Sequence, residues 1–254
     1  GADPVHRAVD LYLVDAIFLL ATLWATWRLP ALPSSAQRVD GERPKVGLRA
    51  VVDGFRYVGT QRILLVSFLV DVIAMGLGMP RVLFPQMAVD TFGGTADGGV
   101  QQGLLYAAIP IGMVAGGVLS GWLQKVQRQG VVVVVAVCVW GGGVLVFGLT
   151  GSLFLAVLAL AVAGAGDLVS SVYRSSMLQT VATDEMRGRM QGVFIVVVAG
   201  GPRLADMWHG SAAASLIGPG VTATLGGAAV IVGVLLCVWR FPEFLRYRAP
   251  RDGG

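Results

Sequence analysis

Seven apolar runs, separated by shorter polar segments, dominate the chain. An α-helix rises about 1.5 Å per residue, so roughly 20 apolar residues cross the ~30 Å hydrocarbon core of a bilayer. Each run is close to this length and is bounded by polar or charged residues. The pattern predicts an all-α integral membrane protein with about seven transmembrane helices. The predicted spans are Leu11–Trp27, Ile63–Pro85, Gly103–Leu123, Val131–Leu149, Ser152–Tyr173, Met190–Gly210 and Ile217–Val238.

Composition supports a membrane protein and argues against an enzyme. Hydrophobic residues make up 55% of the chain, charged residues make up 13%, and the mean hydropathy is +0.73. Soluble domains contain about 25% charged residues. The net charge of +4 comes from arginines confined to a few loops, which indicates topology signals rather than a nucleic-acid surface. The sequence has no phosphate-binding loop, Cys/His cluster or HExxH motif, so we expect no enzymatic activity, cofactor or metal ion.

The loops between the predicted spans alternate in charge. Basic residues lie in the segment from Arg28 to Arg62, in QKVQRQ, in the turn from Arg174 to Arg189 and in the C-terminal tail. The intervening loops DTFGGTADGG, TGS and GSAAAS contain neither Lys nor Arg. Since cytoplasmic loops of membrane proteins carry an excess of Lys and Arg, the alternation predicts a multi-pass protein of the cell (inner) membrane with a cytoplasmic C-terminus.

The long basic loop contains a pattern typical of an amphipathic helix. Such a helix lies at the membrane interface, where its basic face meets anionic lipid, or serves as a solvated connector packed against the underside of the domain. The apolar positions at helical spacing are Leu48, Val51, Val52, Phe55 and Val58, and the basic residues among them are Lys45, Arg49 and Arg56.

Carboxylates and guanidinium groups inside the predicted spans are candidates for function. An ionised side chain at mid-membrane costs about 2.5 to 3.5 kcal/mol on insertion scales, so each one calls for a reason. Asp71 lies nine residues after Arg62, about 14 Å along the helix, and is therefore near the middle of the bilayer. We expect Asp71 to be a proton or cation site. The alternative is that Asp71 has a structural role and is bonded to a Ser, Tyr or Arg of a neighbouring helix.

Two further pairs of charged residues are candidates for coupling or gating. Asp167 lies seven residues before Arg174, about 10 Å along one helix face, and we place Arg174 at the cytoplasmic edge. We expect Asp167 either to close a cytoplasmic gate by pairing with a basic group or to make an ordinary interhelical hydrogen bond. Arg203 and Asp206 follow a Gly-Gly-Pro break and lie three residues apart. We expect them to form a local ion pair or an outer gate, or else to extend individually to the membrane interface. His209, beside Trp208, is expected at the interface.

Aromatic, methionine and glycine residues complete the set of candidates. Met and aromatic side chains adapt to varied ligands, although helix-packing side chains have the same pattern. Glycine pairs at small-xxx-small spacing, Gly112 with Gly116 and Gly117 with Gly121, predict close helix packing. The candidates for a substrate cavity are Met75, Met79, Tyr106 and Tyr173.

Five stretches resemble known transporters. They are LYLVDAIFLL, DVIAMGLGMPRVLFPQMA, SGWLQKVQRQG, YRSSMLQTVATDEMRGRMQG and GGPRLADMWHG. Together they resemble the C-terminal half of a major facilitator superfamily transporter, in the branch of enterobactin exporters and related drug-efflux proteins. The resemblance implies alternating access and export of a small amphipathic drug or siderophore in exchange for protons. Arg187 and Arg189 in the fourth stretch are gating candidates, whereas the third lacks the acidic residue of the superfamily's Gly-x-x-x-Asp-Arg motif.

An odd number of spans with an external N-terminus leads us to expect a chain that lacks an N-terminal half. We assign residues 1–27 to an external lead and the last helix of that half, 28–62 to a cytoplasmic linker, 63–240 to a six-helix transporter domain and 241–254 to a cytoplasmic tail. The expected partners are the lipid bilayer, a small-molecule substrate, protons, and the missing half or a second copy. The alternative function is a non-transporting membrane fragment or scaffold that pairs with another half-transporter.

Overall fold

The computed structural model describes residues 4–28, 48–96, 98–119, 126–214 and 217–248. Regular structure within these ranges is helical, with no β-strand. The chain divides into two compact units, Gly1–Pro44 and Lys45–Gly254. The first unit contains helix α1 (Pro4–Trp27), whose segment from Ala16 to Trp27 is apolar and exposed. Most of the predicted linker, 29–47, lies outside the described residues.

The second unit consists of helices α2 to α10. A short 3₁₀ turn, Arg81–Leu83, leads into α4. The helices are α2 (Leu48–Thr60), α3 (Arg62–Gly78), α4 (Phe84–Asp90), α5 (Val100–Leu119), α6 (Gln129–Leu149), α7 (Leu153–Val181), α8 (Asp184–Ala213), α9 (Pro219–Arg240) and α10 (Glu243–Arg246).

The helices confirm the prediction of an all-α membrane protein. Within the described residues, four helical segments are long and apolar enough to cross a membrane: Arg62–Asp90, Gln129–Leu149, Leu153–Val181 and Pro219–Arg240. Helices α1 and α8 cover two of the other predicted runs, and α5 covers the third, Gly103–Leu123, as far as Leu119. Large apolar side chains are also exposed on the outer faces of the bundle, where lipid rather than water is the favourable neighbour. Examples are Val118, Phe154 and Trp239, each at least 78% exposed.

Two helices extend well beyond their predicted ends. Helix α7 continues to Val181 instead of ending near Tyr173, and α8 begins at Asp184, so the turn between them is only two residues long. The predicted charged loop is therefore largely helical. Met177 and Leu178 explain the extension of α7, because burial of both side chains stabilises another two helical turns.

The predicted span Ile63–Pro85 is broken rather than continuous. Helix α3 ends at Gly78, and Met79 and Pro80 separate it from the 3₁₀ turn. Proline lacks an N–H group and so cannot continue the hydrogen-bond ladder of a helix. The indole Nε1 of Trp208 in α8 donates a hydrogen bond of 2.7 Å to the carbonyl of Gly76, which satisfies one of the carbonyls released at the break.

Glycines allow several helices to approach closely. A Cβ atom at Gly112 of α5 would overlap the backbone of Ala161 in α7, and one at Gly164 of α7 would overlap the backbone of Ile109. At the α6–α9 contact, a Cβ at Gly141 would lie 2.9 Å from the carbonyl oxygen of Gly227. Backbones at this distance gain dispersion contacts that side chains would prevent, which is how small residues stabilise membrane bundles.

The amphipathic helix α2 packs on the bundle through one face. Val58 is buried in an apolar cluster that includes Leu64 of α3 and Val193 of α8. Val52 and Phe55, which belong to the same apolar pattern of α2, are 54% and 45% exposed. Helix α2 therefore combines features of the two alternatives, since it packs against the domain and also presents apolar side chains to its surroundings.

Replacing Gly112 with alanine is expected to destabilise the bundle. The added methyl group must displace the backbone of α7, and such overpacking costs about 1 to 3 kcal/mol. Gly103→Ala in the same helix is the matched control, because a Cβ there has nothing within 4 Å. Thermal unfolding of the purified chain in detergent should give a lower midpoint for Gly112→Ala alone. Equal midpoints for the two variants would contradict the close contact of α5 with α7.

Candidate functional site

A buried ion pair connects α3 to α7. Asp71 and Arg174 contact each other through Oδ1 and Nη1, and their side chains are only 1% and 5% exposed. A second ion pair joins Arg62 to Glu243 at 3.2 Å, and its side chains are 76% and 41% exposed. Solvent weakens the exposed pair, whereas the buried pair interacts at low dielectric. Asp71 and Arg174 therefore form the main electrostatic link within the membrane bundle.

Two serines of α7 hold the guanidinium group in place. Its Nε donates to Oγ of Ser170, and its Nη2 donates to Oγ of Ser171, each at 3.2 Å. A guanidinium group has five N–H donors in one plane. Bonds from three of its nitrogens in different directions therefore fix the plane as well as the position. Because Ser170 and Ser171 lie within the preceding helical turn, α7 itself orients Arg174 toward α3.

Asp71 was predicted near mid-membrane and Arg174 at the cytoplasmic edge, but their side chains are in contact, so the two predicted depths are not compatible. Arg174 lies seven positions before the end of α7, and it pairs with Asp71, nine positions after the start of α3. Both charges therefore lie about 10 to 14 Å from the nearer helix ends. The physical reason is charge compensation, because a carboxylate on the facing helix offsets the cost of an arginine at this depth.

Asp167 lies two helical turns before Arg174 on α7 and does not take part in the pair. Its side chain is half-buried and makes no hydrogen bond or ion pair with the described residues. Two helical turns correspond to about 10 Å along the axis, so the carboxyl group lies near enough to Arg174 to interact with its charge. Asp167 is thus a second carboxylate within the electrostatic field of the buried pair.

The gating candidates of α8 are not paired with each other. Arg203 is exposed, and Oδ1 of Asp206 is buried without a hydrogen-bond partner in the described part of the chain. The side chains of Arg187 and Arg189 lie outside the described residues. His209 was expected at the interface, but it is fully buried and stacks on Trp208 with a centroid distance of 3.9 Å. The imidazole lies beside Met79 at the break in α3 and packs against α9, where a Cβ at Gly226 would lie 2.6 Å from its Nε2.

The cavity candidates separate into buried and exposed residues. Met75, Met79 and Tyr173 are 8%, 4% and 6% exposed and belong to the apolar core, as in the helix-packing alternative. Tyr106 is 43% exposed, and its hydroxyl donates to the backbone carbonyl of Arg81 at 3.4 Å. Of these four side chains, Tyr106 is the one available to a ligand.

An open polar groove lies instead along α7. The space beside it has a volume of about 390 Å³ and is open, because all the side chains that line it belong to α7. It extends from the level of Ser171 toward the end of the helix, and Ser171 is also a partner of Arg174. Sequence reasoning missed this groove, although Ser and Gln at every fourth position of an apolar helix are a readable signal. The groove is lined by Ser171, Val172, Ser175, Ser176 and Gln179.

A second, water-sized cavity borders the ion pair. Its volume of about 10 Å³ is at the lower limit for one water molecule. Arg174 and Ser67 supply its polar groups, and the remaining lining is apolar. The lining residues are Leu64, Ser67, Phe68, Arg174, Leu178 and Phe194.

Apolar spanning helices that enclose an ion pair and carry a polar groove are the features of a multi-pass membrane transporter. The chain belongs to the Major Facilitator Superfamily, whose family model matches residues 7–205. It is similar to the enterobactin exporter EntS of Citrobacter koseri, with 31% identity over 245 residues that cover 94% of this chain and 55% of the relative. The enterobactin exporter EntS of Escherichia coli O1:K1 is 33% identical over 231 residues, which cover 89% and 52% of the two chains.

The chain spans about half the length of the curated relatives it matches. No solved structure matches significantly. Membership of the superfamily confirms the resemblance found in the sequence and makes the chain part of a membrane transport family.

Loss of either partner of the ion pair is expected to destabilise the chain more than loss of both. Removing one charge from a buried pair costs about 3 to 5 kcal/mol, because the other charge remains without compensation. Thermal unfolding of Asp71→Asn, Arg174→Gln and the double variant forms a double-mutant cycle. We expect the double variant to be more stable than each of the single variants. Strictly additive effects would show that the two residues do not depend on each other.

Proposed function

We propose that the chain forms part of a proton-coupled exporter of small amphipathic molecules, either a drug or a siderophore, which works by alternating access. The observation that carries this proposal is the ion pair of Asp71 and Arg174, buried between two membrane helices. Intramembrane carboxylates and their partners mark proton pathways in transporters. Family membership supports transport, and the names of the enterobactin exporters support a siderophore as one candidate substrate.

In the proposed mechanism a proton binds the carboxylate of Asp71 and cancels its charge. Arg174 then loses its ionic partner, and Asp167 offers a second carboxylate on its own helix. The interaction that holds α3 to α7 weakens, and the break at Met79 and Pro80 gives α3 a place to bend. Release of the proton on the other side restores the pair and reverses the change.

The groove on α7 provides the proposed substrate surface. Serine hydroxyls and the Gln179 amide can donate to or accept from an oxygen-rich ligand, and Val172 adds an apolar contact. We place the end of α7 near Val181 on the cytoplasmic side of the inner membrane, which makes the groove accessible from the cell interior. Arg187, Arg189, Arg203 and Asp206 are proposed gate residues at the two sides of the membrane.

A second half of the transporter or a second copy of this chain would cover the exposed polar face of α7. A six-helix half holds substrate against its partner half in this class of transporter. The alternative function is a non-transporting membrane scaffold that pairs with another half-transporter.

Efflux from cells expressing this chain tests the proposal. We expect the cells to export the fluorescent amphipathic drug doxorubicin and also enterobactin. An uncoupler of the proton gradient should stop the export of both. Asp71→Asn should abolish uncoupler-sensitive efflux, whereas Asp90→Asn, which changes an exposed carboxylate at the end of α4, should preserve it.

Membrane insertion of each variant must be measured in the same cells. Efflux that persists in Asp71→Asn or ignores the uncoupler would contradict proton coupling through Asp71. Absence of efflux from well-inserted wild-type chain would favour the scaffold.

A further inference from the structure

We propose that Ser171 links the proton on Asp71 to the ligand in the α7 groove, so that the two compete. The proposal rests on the proposed function and assigns a positioning residue to it. Ser171 lines the groove, and its Oγ accepts a hydrogen bond of 3.2 Å from Nη2 of Arg174. Arg174 in turn pairs with Asp71. One hydroxyl group therefore connects the substrate surface to the buried charges.

The neighbouring serines separate the two contacts that Ser171 combines. Ser170 accepts from Nε of the same guanidinium group, but its side chain is only 1% exposed and does not line the groove. Ser175 and Ser176 line the groove without a hydrogen bond to Arg174 in the described structure. Among the described residues, Ser171 is the one that belongs to both sets.

Hydroxyl chemistry gives the direction of the coupling. A serine hydroxyl has one donor and two acceptor sites. Oγ of Ser171 accepts from a positively charged donor, which polarises its O–H bond and makes it a better donor to a ligand. The O–H group makes no hydrogen bond to another described residue. It is therefore available to an oxygen acceptor in the groove, such as a carbonyl, phenol or phenolate oxygen.

The proton state of Asp71 controls whether Arg174 remains aligned with Ser171. With Asp71 ionised, the pair fixes the guanidinium group and supports ligand binding through Ser171. With Asp71 protonated, Arg174 loses that constraint, and the polarised hydrogen bond to the ligand weakens. Linkage makes the effect reciprocal, so bound ligand opposes protonation. Ligand affinity should consequently be higher at alkaline pH and fall as Asp71 takes up a proton, which is the relation an exchanger of ligand for protons requires.

Other ionisable groups lie on the helices around α3 and must be considered in a pH experiment. Arg174 and Asp167 are the charged residues of α7 that share the field of Asp71. Variants that differ only at uncharged serines leave all these groups unchanged, so a difference between them reports on Ser171. Among the side chains that the structure describes on the other helices packed against α3, the charged groups and the histidine are Asp53, Arg56, Arg203, Asp206, His209, Arg240, Glu243 and Arg246.

Doxorubicin binding to the purified full chain in lipid nanodiscs tests the inference, because this fluorescent drug is amphipathic and carries several hydroxyl and carbonyl oxygens. Fluorescence titrations at acidic and alkaline pH give the ratio of the two dissociation constants. We expect a ratio of about 5-fold or more for the wild type, at the lower end of typical coupling between two sites. Ser171→Ala should bind more weakly at alkaline pH and bring the ratio close to one.

Three serine variants serve as matched controls. Ser175→Ala should weaken binding but keep the ratio, because it removes a groove hydroxyl that Arg174 does not contact. Ser170→Ala should keep most of the ratio, and Ser171→Thr should restore it because threonine retains the hydroxyl group. A ratio that persists in Ser171→Ala, or that Ser175→Ala loses equally, would overturn the inference.

Asp71→Asn separates this inference from the proposed function. In this variant, the ratio of the dissociation constants at acidic and alkaline pH should be close to one if Asp71 carries the proton. A wild-type ratio in Asp71→Asn would contradict the proposed function, whereas loss of the ratio in Asp71→Asn but not in Ser171→Ala would contradict the role of Ser171 alone.

Discussion

The cost of burying charge in a membrane governs this structure. An ionised carboxylate and a guanidinium group lie within apolar helices, and each is tolerable there because the other compensates it. Ser170 and Ser171 complete the arrangement by satisfying further guanidinium donors. Such an arrangement is stable only while both charges are present. In the proposed mechanism, a change in the protonation of one group therefore has a mechanical effect that a neutral contact between the same helices would not have.

The helices around the ion pair fit the proposed effect of protonation. Glycine-lined contacts bring α5 close against α7 and α6 close against α9. By contrast, α3 is interrupted at Met79 and Pro80, and Trp208 secures the carbonyl of Gly76 beside the break. The ion pair thus joins a continuous helix to an interrupted one. The polar groove lies on the continuous helix, next to the residue that anchors the pair.

Hydropathy predicted the class and the order of the helices because burial in lipid leaves a long apolar run in the sequence. The pairing of Arg174 with Asp71 was not predicted, because arginine usually marks the membrane edge and the carboxylate lies far away in the chain. Asp71 was identified as a functional candidate from its depth alone, but its partner required the structure. His209 was misplaced for a similar reason, since the break in α3 that accommodates it depends on tertiary packing. The polar residues of the groove recur at every fourth position, but the apolar run of the same helix drew the prediction toward a membrane span alone.

The most direct test of the account is infrared difference spectroscopy of the purified chain in lipid during acidification. A protonated carboxyl group in an apolar site gives a separate C=O stretching band. The account predicts a band that appears on acidification, disappears in Asp71→Asn and titrates at a different pH in Arg174→Gln. An identical band in Asp71→Asn would show that another carboxyl group takes up the proton and would contradict the central role of the buried pair.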